Sequence, residues 1–232
     1  MAWSPRLTVL EFGSLLSYTP RPESNDASKL ELMKTSRNLM SFLKTNRILS
    51  QKFPSGIIQL STTEYIAQLL KDRLSRLPFS NYFQGHTILV PTPRSSLTKT
   101  GGLWVPEDLA IAISNRGLAW GVDRSLERIK PVSKSAWSAP GERPSPFTHY
   151  DSLAAQSNFN NATDIVLIDD VITRGSTLLG AANRLLTVFP NAQIRAFAAM
   201  RTVSNADEFK HWIDPIVGRI TLRSDGTITR RP

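Results

Sequence analysis

The sequence contains no cysteine. Disulfide bonds, thiolate zinc sites and a cysteine nucleophile are therefore excluded from this chain. No apolar run approaches the length of a membrane-crossing helix. The first residues hold no basic segment followed by a long apolar one, so we expect no secretory signal. These absences favour a cytoplasmic protein without membrane contact.

Acidic residues and histidine are also scarce. The 232 residues include 28 Lys and Arg but only 19 Asp and Glu, a net charge of +9. This excess fits either a solvated basic surface or an anionic partner, which is a phosphorylated small molecule or a nucleic acid. The three histidines, His86, His149 and His211, are widely spaced and match no metal-ligand pattern. We expect His149 to lie in the mobile loop as a surface residue, with contact to substrate as the less favoured alternative.

The patterns divide the chain at residue 86. Residues 1–86 predict a strand around Leu7–Leu16, a helix over Ser28–Thr45 and a second helix after Ser61–Glu64, which has capping-box spacing. They are expected to form a mostly helical, hood-like N-terminal extension. Residues 87–232 are expected to form the core of the protein.

The core begins with a strand, a polar loop, a helix and a strand within residues 87–128. Residues 129–161 are rich in proline, serine and alanine and are predicted to be irregular, as a mobile active-site cover or a disordered segment. Asp164–Ile168 predicts a buried strand, Leu178–Leu186 a helix and Gln193–Met200 another strand. Such a strand-helix-strand unit implies an α/β fold with a parallel sheet.

One segment combines acidic and phosphate-binding features. The strand before it delivers Asp169 and Asp170 to its carboxyl end, where open α/β sheets bind ligands. Gly175 allows a tight turn into the next helix, whose free amides and positive dipole end attract a phosphate. Hydroxyl groups that can join these amides belong to Thr173, Ser176 and Thr177. Since carboxylates accept hydrogen bonds from vicinal hydroxyls, the segment suits a sugar phosphate.

Two other interpretations of the segment remain open. Paired aspartates at a strand end hold magnesium in response-regulator receiver domains, although too few residues follow Asp170 for the further strand-helix units of that fold. The segment could also be a capped helix with two solvated aspartates.

Val166–Thr177 resembles the phosphoribosyl-diphosphate (PRPP) motif of type I phosphoribosyltransferases. Leu89–Arg94 upstream resembles the ComF-like branch of that family, and the resemblance covers about residues 87–202. It implies a parallel-sheet core with helices on both faces. One departure is the missing cysteine, because many ComF-like proteins begin with a cysteine zinc finger.

The resemblance implies an enzyme that binds PRPP with magnesium and transfers phosphoribose to a nitrogenous base with release of pyrophosphate. Asp169, Asp170 and Arg94 would be catalytic, with the two aspartates at the ribose hydroxyls. Magnesium would be held mainly by PRPP, with Asp169 and Asp170 as candidate ligands. The remaining implied contacts are Thr173, Arg174, Gly175, Ser176 and Thr177 for the 5-phosphate, and Arg94, Ser95, Lys134 and Arg143 for the pyrophosphate. The last two belong to a flexible loop, expected at residues 130–150, that closes over PRPP.

Other partners and functions stay open. A regulator that senses PRPP without turnover, and binds nucleic acid or a protein partner, is the alternative favoured by the +9 charge. Hydrolysis or pyrophosphate transfer at the same site is a third class. We also expect a homodimer. Trp212 and Asp214 lie where related folds often contact the base, although a packing role for the tryptophan and a capping role for the aspartate are favoured over base contact.

Overall fold

The structure is a computed structural model of the chain. It describes residues 4–53, 56–97, 101–133, 144–156 and 162–232, and side chains 51–53 are not described. No helix among these residues is long and apolar enough to cross a membrane.

A seven-stranded sheet forms the centre of the molecule. The described strands are β1 (Val9–Tyr18), β2 (Ile48–Phe53), β3 (Gly56–Ser61), β4 (Ile88–Pro91), β5 (Gly121–Val122), β6 (Leu126–Arg128), β7 (Leu153–Ala155), β8 (Asp164–Ile172), β9 (Gln193–Thr202), β10 (Ile213–Leu222) and β11 (Ile228–Arg231). The central sheet has the order β11-β10-β1-β9-β8-β4-β5, and β2-β3 and β6-β7 form two small hairpins. β1, β9, β8, β4 and β5 run parallel, whereas β10 and β11 add antiparallel pairs at one edge. The predicted α/β fold with a mostly parallel sheet is confirmed.

Helices cover both faces of this sheet. They are α1 (Ala27–Thr45), α2 (Thr62–Arg73), α3 (Val105–Ser114), α4 (Pro146–Asp151) and α5 (Ser176–Leu185). Side chains alternate along β8, so Val166 and Ile168 pack in one apolar core with α2 and α3, while Ile165 and Leu167 pack in the other with α5. Burial on both faces explains why β8 is apolar from Ile165 to Ile168.

The N-terminal section contributes a strand to the central sheet. β1 lies between β9, which runs parallel to it, and β10, which runs antiparallel. The predicted boundary at residue 86 therefore crosses this sheet. The helices that follow β1 were expected from their patterns, and the Ser61–Glu64 capping box is confirmed by hydrogen bonds in both directions at the start of α2.

The prediction of irregular structure over residues 129–161 is wrong for its described second half. Ser145 caps α4 by accepting a hydrogen bond from the Thr148 amide, and Pro146 occupies the first turn, where it needs no amide partner. β7 then pairs with β6. α4 packs closely on α5, because Gly180 brings the two helix backbones together. Pro144–Tyr150 therefore belongs to the packed structure rather than to a free loop.

Candidate functional site

The candidate site lies at the carboxyl ends of β4 and β8, which are adjacent parallel strands. β8 continues to Ile172, so the sequence-based end at Ile168 was too early. Asp169 and Asp170 are consecutive within the last part of this strand, and their side chains therefore leave its two opposite faces. They contact different elements of the fold.

Asp169 faces the loop that follows β4. Its Oδ1 accepts hydrogen bonds from Thr92 Oγ1 at 3.0 Å and from the Asp170 amide at 2.9 Å. Burial and the adjacent charge of Asp170 raise the pKa of Asp169 from 3.8 to about 7, although Lys44 and the hydrogen bond from Thr92 oppose this change. Asp169 is thus a carboxyl group that can hold or release a proton near neutral pH.

Asp170 is paired with Lys44 at the end of α1. Lys44 Nζ lies 2.9 Å and 2.7 Å from the two carboxylate oxygens of Asp170, and the Val171 amide donates to the same carboxylate. Burial lowers the pKa of Lys44, but the attraction and hydrogen bonding of Asp170, with help from Asp169, outweigh it and raise the pKa above 10.5. Lys44 could not be assigned to the site from the sequence, because nothing in the pattern of α1 indicates which strand its last turn meets.

The segment from Thr173 to Thr177 forms a turn into α5. Gly175 has φ 94°, in the left-handed region, as its expected role in a tight turn requires. The first amides of α5 have no partner inside the helix, because the i→i−4 pattern begins with the Leu179 amide bonding to the Gly175 carbonyl. Thr173 and Arg174 are exposed, and the hydroxyl-bearing Ser176 and Thr177 are partly buried.

A cavity of about 280 Å³ lies against this turn. Every residue of the predicted phosphate-binding segment lines it, together with Asp169, Ser145 of α4 and the turn before β11. The structure therefore brings the segment and one carboxylate together around a single space.

Packing adds a second requirement for glycine at position 175, beside the positive φ that was expected. A Cβ at Gly175 would lie 2.5 Å from Cδ1 and 2.7 Å from Cγ1 of Ile220 in β10. Packing against Ile220 therefore leaves no room for a Cβ at position 175, and the positive φ disfavours other residues there as well.

A second cavity, of about 510 Å³, adjoins the first. The two cavities share Asp169, Val171, Thr173 and Thr177. Lys44 and Asp170 line the second cavity at one side. Asp169 therefore separates a small space at the helix N-terminus from a larger one.

The predicted pyrophosphate contacts are divided between described and undescribed residues. Arg94 and Ser95 line the second cavity. The Arg94 carbonyl accepts from Arg128 Nε at 2.9 Å, and the Ser95 carbonyl accepts from the Val132 amide. Lys134 and Arg143 lie outside the described residues.

Arg128 and His149 also line the second cavity; Arg128 was not expected there, and contact with substrate was the less favoured alternative for His149. The expectation of a surface position for His149 is wrong, since only 3% of this residue is exposed. Burial, together with the charge of Arg128, lowers the pKa of His149 to about 4, so its ring is neutral at pH 7. Its Nε2 lies 3.4 Å from Thr177 Oγ1. The local signal that could have indicated this position is the Ser145-Pro146 helix start.

Two further candidates lie away from both cavities. Asp214 pairs with Arg201 through its side chain and its carbonyl, and Trp212 packs against the apolar cores. Neither residue lines either cavity. Trp212 thus has the expected packing role, whereas Asp214 forms an ion pair instead of the expected cap.

No metal-binding cluster of three or more His, Cys, Asp or Glu side chains occurs among the residues that the structure describes. Asp169 and Asp170 remain the acidic side chains of the site. No protein-family model matches the chain, and no curated protein matches it in sequence. A functional assignment therefore rests on the site itself and on the motif.

Proposed function

We propose that the chain is a type I phosphoribosyltransferase, which binds PRPP with magnesium and transfers phosphoribose to a nitrogenous base with release of pyrophosphate. The observation that carries this proposal is the pair of adjoining cavities that share Asp169. A ligand with a phosphate at one end, hydroxyls in the middle and further anionic charge at the other end matches such an arrangement.

The 5-phosphate would occupy the smaller cavity. Ser176 and Thr177, whose amides have no partner inside α5, line this space, and the helix dipole favours negative charge there. Thr173, Ser176 and Thr177 add hydroxyl donors, and the exposed Arg174 adds a cation at the rim. A phosphate dianion would then be bound mainly by neutral donors that are fixed before it arrives.

The ribose would lie over Asp169 and Asp170. Ionised carboxylates accept hydrogen bonds from neighbouring ribose hydroxyls, and their negative charge stabilises a positively charged ribosyl group. Lys44 already occupies both oxygens of Asp170, so a ribose hydroxyl must share that carboxylate or displace the lysine. Asp169, which has no cationic partner at hydrogen-bond distance among the described residues, is the more accessible acceptor.

The reaction breaks the bond between the anomeric carbon and a pyrophosphate oxygen, and forms a bond from that carbon to a base nitrogen. Its transition state resembles an oxocarbenium ion. The departing oxygen keeps the bonding electrons, so Arg94 and the donors of the loop after β4 would stabilise the leaving pyrophosphate. Tyr18, Leu103 and Val105 line the same cavity and offer apolar surface for a flat base.

Magnesium fits this donor set only as an ion shared with the ligand. Two carboxylates, one of them paired with Lys44, supply too few oxygens for an all-protein site. Asp169 and Asp170 would hold the ion together with PRPP oxygens and water. When bound, magnesium would neutralise charge on the leaving group.

Pyrophosphate release tests the proposed activity. The protein is incubated with PRPP, magnesium and each of a set of purine, pyrimidine and pyridine bases, and pyrophosphate is measured against reactions without a base. We expect release that depends on one base and is lost in the Asp169→Asn, Asp170→Asn double variant. A folded protein that binds PRPP but releases no pyrophosphate with any base contradicts the enzyme proposal.

The net charge of +9 favours one alternative, a regulator that senses PRPP and binds nucleic acid. Nucleic-acid binding of this kind weakens steeply with salt. The reason is that the Lys and Arg side chains that contact phosphates displace condensed counterions from the nucleic acid. Titration of a labelled duplex and a labelled single strand, with and without PRPP, at 50 and 200 mM salt would detect it. Salt-dependent binding that PRPP changes, in the absence of pyrophosphate release, would favour the regulator.

A further inference from the structure

Arg128 is a buried cation without a counter-charge. Three arginines among the described residues are buried, namely Arg128, Arg195 and Arg201. Arg195 pairs with Asp164 and Arg201 pairs with Asp214. No described carboxylate pairs with Arg128, of which 2% is exposed, and burial lowers its pKa to about 10.

The guanidinium of Arg128 is nevertheless held in a fixed position. Its Nε donates to the Arg94 carbonyl at 2.9 Å, and its Nη1 donates to Ser152 Oγ. Ser152 in turn donates to the His149 carbonyl at 2.9 Å. Arg128, at the end of β6, is thus held by hydrogen bonds to the loop after β4 and to Ser152, which follows α4.

One edge of this guanidinium is left without a partner. Arg128 Nη2 is buried and has no hydrogen-bond partner among the residues the structure describes, and the same holds for His149 Nδ1. Both residues line the larger cavity. A buried guanidinium nitrogen without an acceptor, in a side chain that lines the cavity, indicates that a group with oxygen atoms completes this wall.

The chemistry of that group follows from charge. Burying a guanidinium without an anion is unfavourable, and an anionic ligand that supplies the missing charge removes this penalty. Arginine suits phosphate in particular, because its planar donors match two phosphate oxygens. The smaller cavity has its own donors for a first phosphate, so Arg128 faces the other end of the ligand.

We propose that Arg128 binds the pyrophosphate group of PRPP through its guanidinium, as a cation that the fold fixes in the wall of the larger cavity before the ligand arrives. This inference rests on the proposed function and adds a residue to it. Arg94 then acts in two ways, through its side chain at the cavity and through the carbonyl that orients Arg128.

Ligands that differ only in the pyrophosphate test this role. Calorimetry on the full chain, with magnesium, gives dissociation constants for PRPP, inorganic pyrophosphate and ribose 5-phosphate, first for the parent and then for Arg128→Gln. We expect about 10- to 100-fold weaker binding of PRPP and pyrophosphate, which is the range for a hydrogen bond to a charged group. Ribose 5-phosphate should bind within about twofold of the parent, since it lacks the group in question.

Two further variants separate binding from folding. Arg116→Gln is the matched control, because Arg116 bonds to Gln68 and the Ala112 carbonyl away from both cavities. Arg128→Lys keeps the charge but loses the planar donors, and it should fold and bind PRPP with intermediate affinity. If Arg128→Gln fails to fold, the lysine variant and the chemical shifts of the arginine side-chain nitrogens in the parent, recorded with and without inorganic pyrophosphate, decide the question.

The outcomes distinguish this inference from the proposal it rests on. Unchanged PRPP affinity in folded Arg128→Gln overturns the role of Arg128 and leaves the phosphoribosyltransferase proposal intact. Equal loss of all three ligands overturns it too, because the arginine would then only support the fold of the site. A parent that binds inorganic pyrophosphate through Arg128 but neither PRPP nor ribose 5-phosphate supports the anion site and contradicts the proposed function.

Discussion

The ionised form of Asp169 lowers the stability of the folded chain, because this carboxylate is buried beside Asp170. Its folded pKa of about 7 exceeds the ordinary 3.8, because burial and Asp170 disfavour the ionised form. The folded state therefore holds a proton that the unfolded state has lost between these two values. The stabilising contribution of the protonated form is fully present below about pH 4 and is lost as the pH rises to about 7.

Asp169→Asn should remove this dependence on pH. The amide oxygen can still accept the hydrogen bonds from Thr92 and the Asp170 amide, but it carries no charge. We expect the melting temperature of the variant, relative to the parent, to rise by about 2–8 °C between pH 4.5 and pH 8. Asp170→Asn is the control and should lower stability at pH 8, since it leaves Lys44 without its partner. Parallel pH profiles for Asp169→Asn and the parent would contradict the raised pKa.

Gly175 is constrained by packing against Ile220 as well as by its backbone. Gly175→Ala should lower the free energy of unfolding by about 1–3 kcal/mol without any ligand present. Gly226→Ala is a matched control, because Gly226 has a similar φ of 79° but open space where the Cβ would be. Chemical denaturation of both variants compares the two costs.

Ile220→Val in the Gly175→Ala background should recover part of the lost stability, since valine lacks the Cδ1 atom that the new Cβ would meet. The same change in the parent should cost about 0.5–1.5 kcal/mol. Equal stability losses for Gly175→Ala and Gly226→Ala, with additive effects of Ile220→Val, would show that Ile220 does not restrict position 175.

At the scale of elements, the contact between α4 and α5 determines the shape of the site. A Cβ at Gly180 would lie 2.5 Å from the Pro146 carbonyl oxygen and 2.8 Å from His149 Cβ. Alanine normally stabilises a helix relative to glycine, by about 1 kcal/mol. Here the added methyl group must push α4 away from α5.

Gly180→Ala should therefore destabilise the protein by about 1–3 kcal/mol, against the helix propensity. It should also weaken PRPP binding, because His149 and Thr177 line the cavities from these two helices. Gly121→Ala, where the Cβ meets open space, is the control and should change neither the free energy of unfolding nor PRPP binding in this way. A Gly180→Ala protein that gains stability and binds PRPP like the parent would mean that α4 is not held against α5.

Elements with strong local signals were predicted well from the sequence. β8 follows from its apolar run, α5 from the spacing of Leu178 and its successors, and α2 from the Ser61–Glu64 box. α4 was not predicted, although Ser145 and Pro146 form a helix start. The proline- and serine-rich sequence before this helix favoured an irregular loop instead.

Contacts between distant elements could not be predicted in the same way. Lys44 meets Asp170 only because α1 packs on the sheet near β8, and Arg128 meets Ser152 only because β6 and β7 form a hairpin. These contacts depend on tertiary packing, which leaves no periodic pattern in the sequence. The sequence therefore indicated the residues of the smaller cavity and Arg94, whereas Lys44 and Arg128 at the larger cavity came from the structure.

At the scale of the whole molecule, β1 joins residues 1–86 to residues 87–232 through the central sheet. It lies between β9 and β10, and its side chains Leu10, Phe12, Leu15 and Leu16 are fully buried. Residues 1–86 also supply Lys44 and Tyr18 to the larger cavity. The site thus requires both sections of the chain.

A chain of residues 87–232 alone should fail to fold. It would expose the edges of β9 and β10 and a large part of the apolar core, which is a strong cause of aggregation. Near-ultraviolet circular dichroism and size-exclusion chromatography of the purified fragment check this. A monomeric fragment with a cooperative thermal transition would show instead that residues 87–232 form an independent domain.

PRPP binding tests the account of the whole site most directly. Isothermal calorimetry on the parent chain, with PRPP up to millimolar concentration, is carried out with and without magnesium and repeated with the folded Asp169→Asn, Asp170→Asn double variant. The account predicts saturable binding of one PRPP per site, stronger with magnesium and weakened at least about 10-fold in the double variant. Absence of binding by the folded parent at millimolar PRPP with magnesium would contradict it.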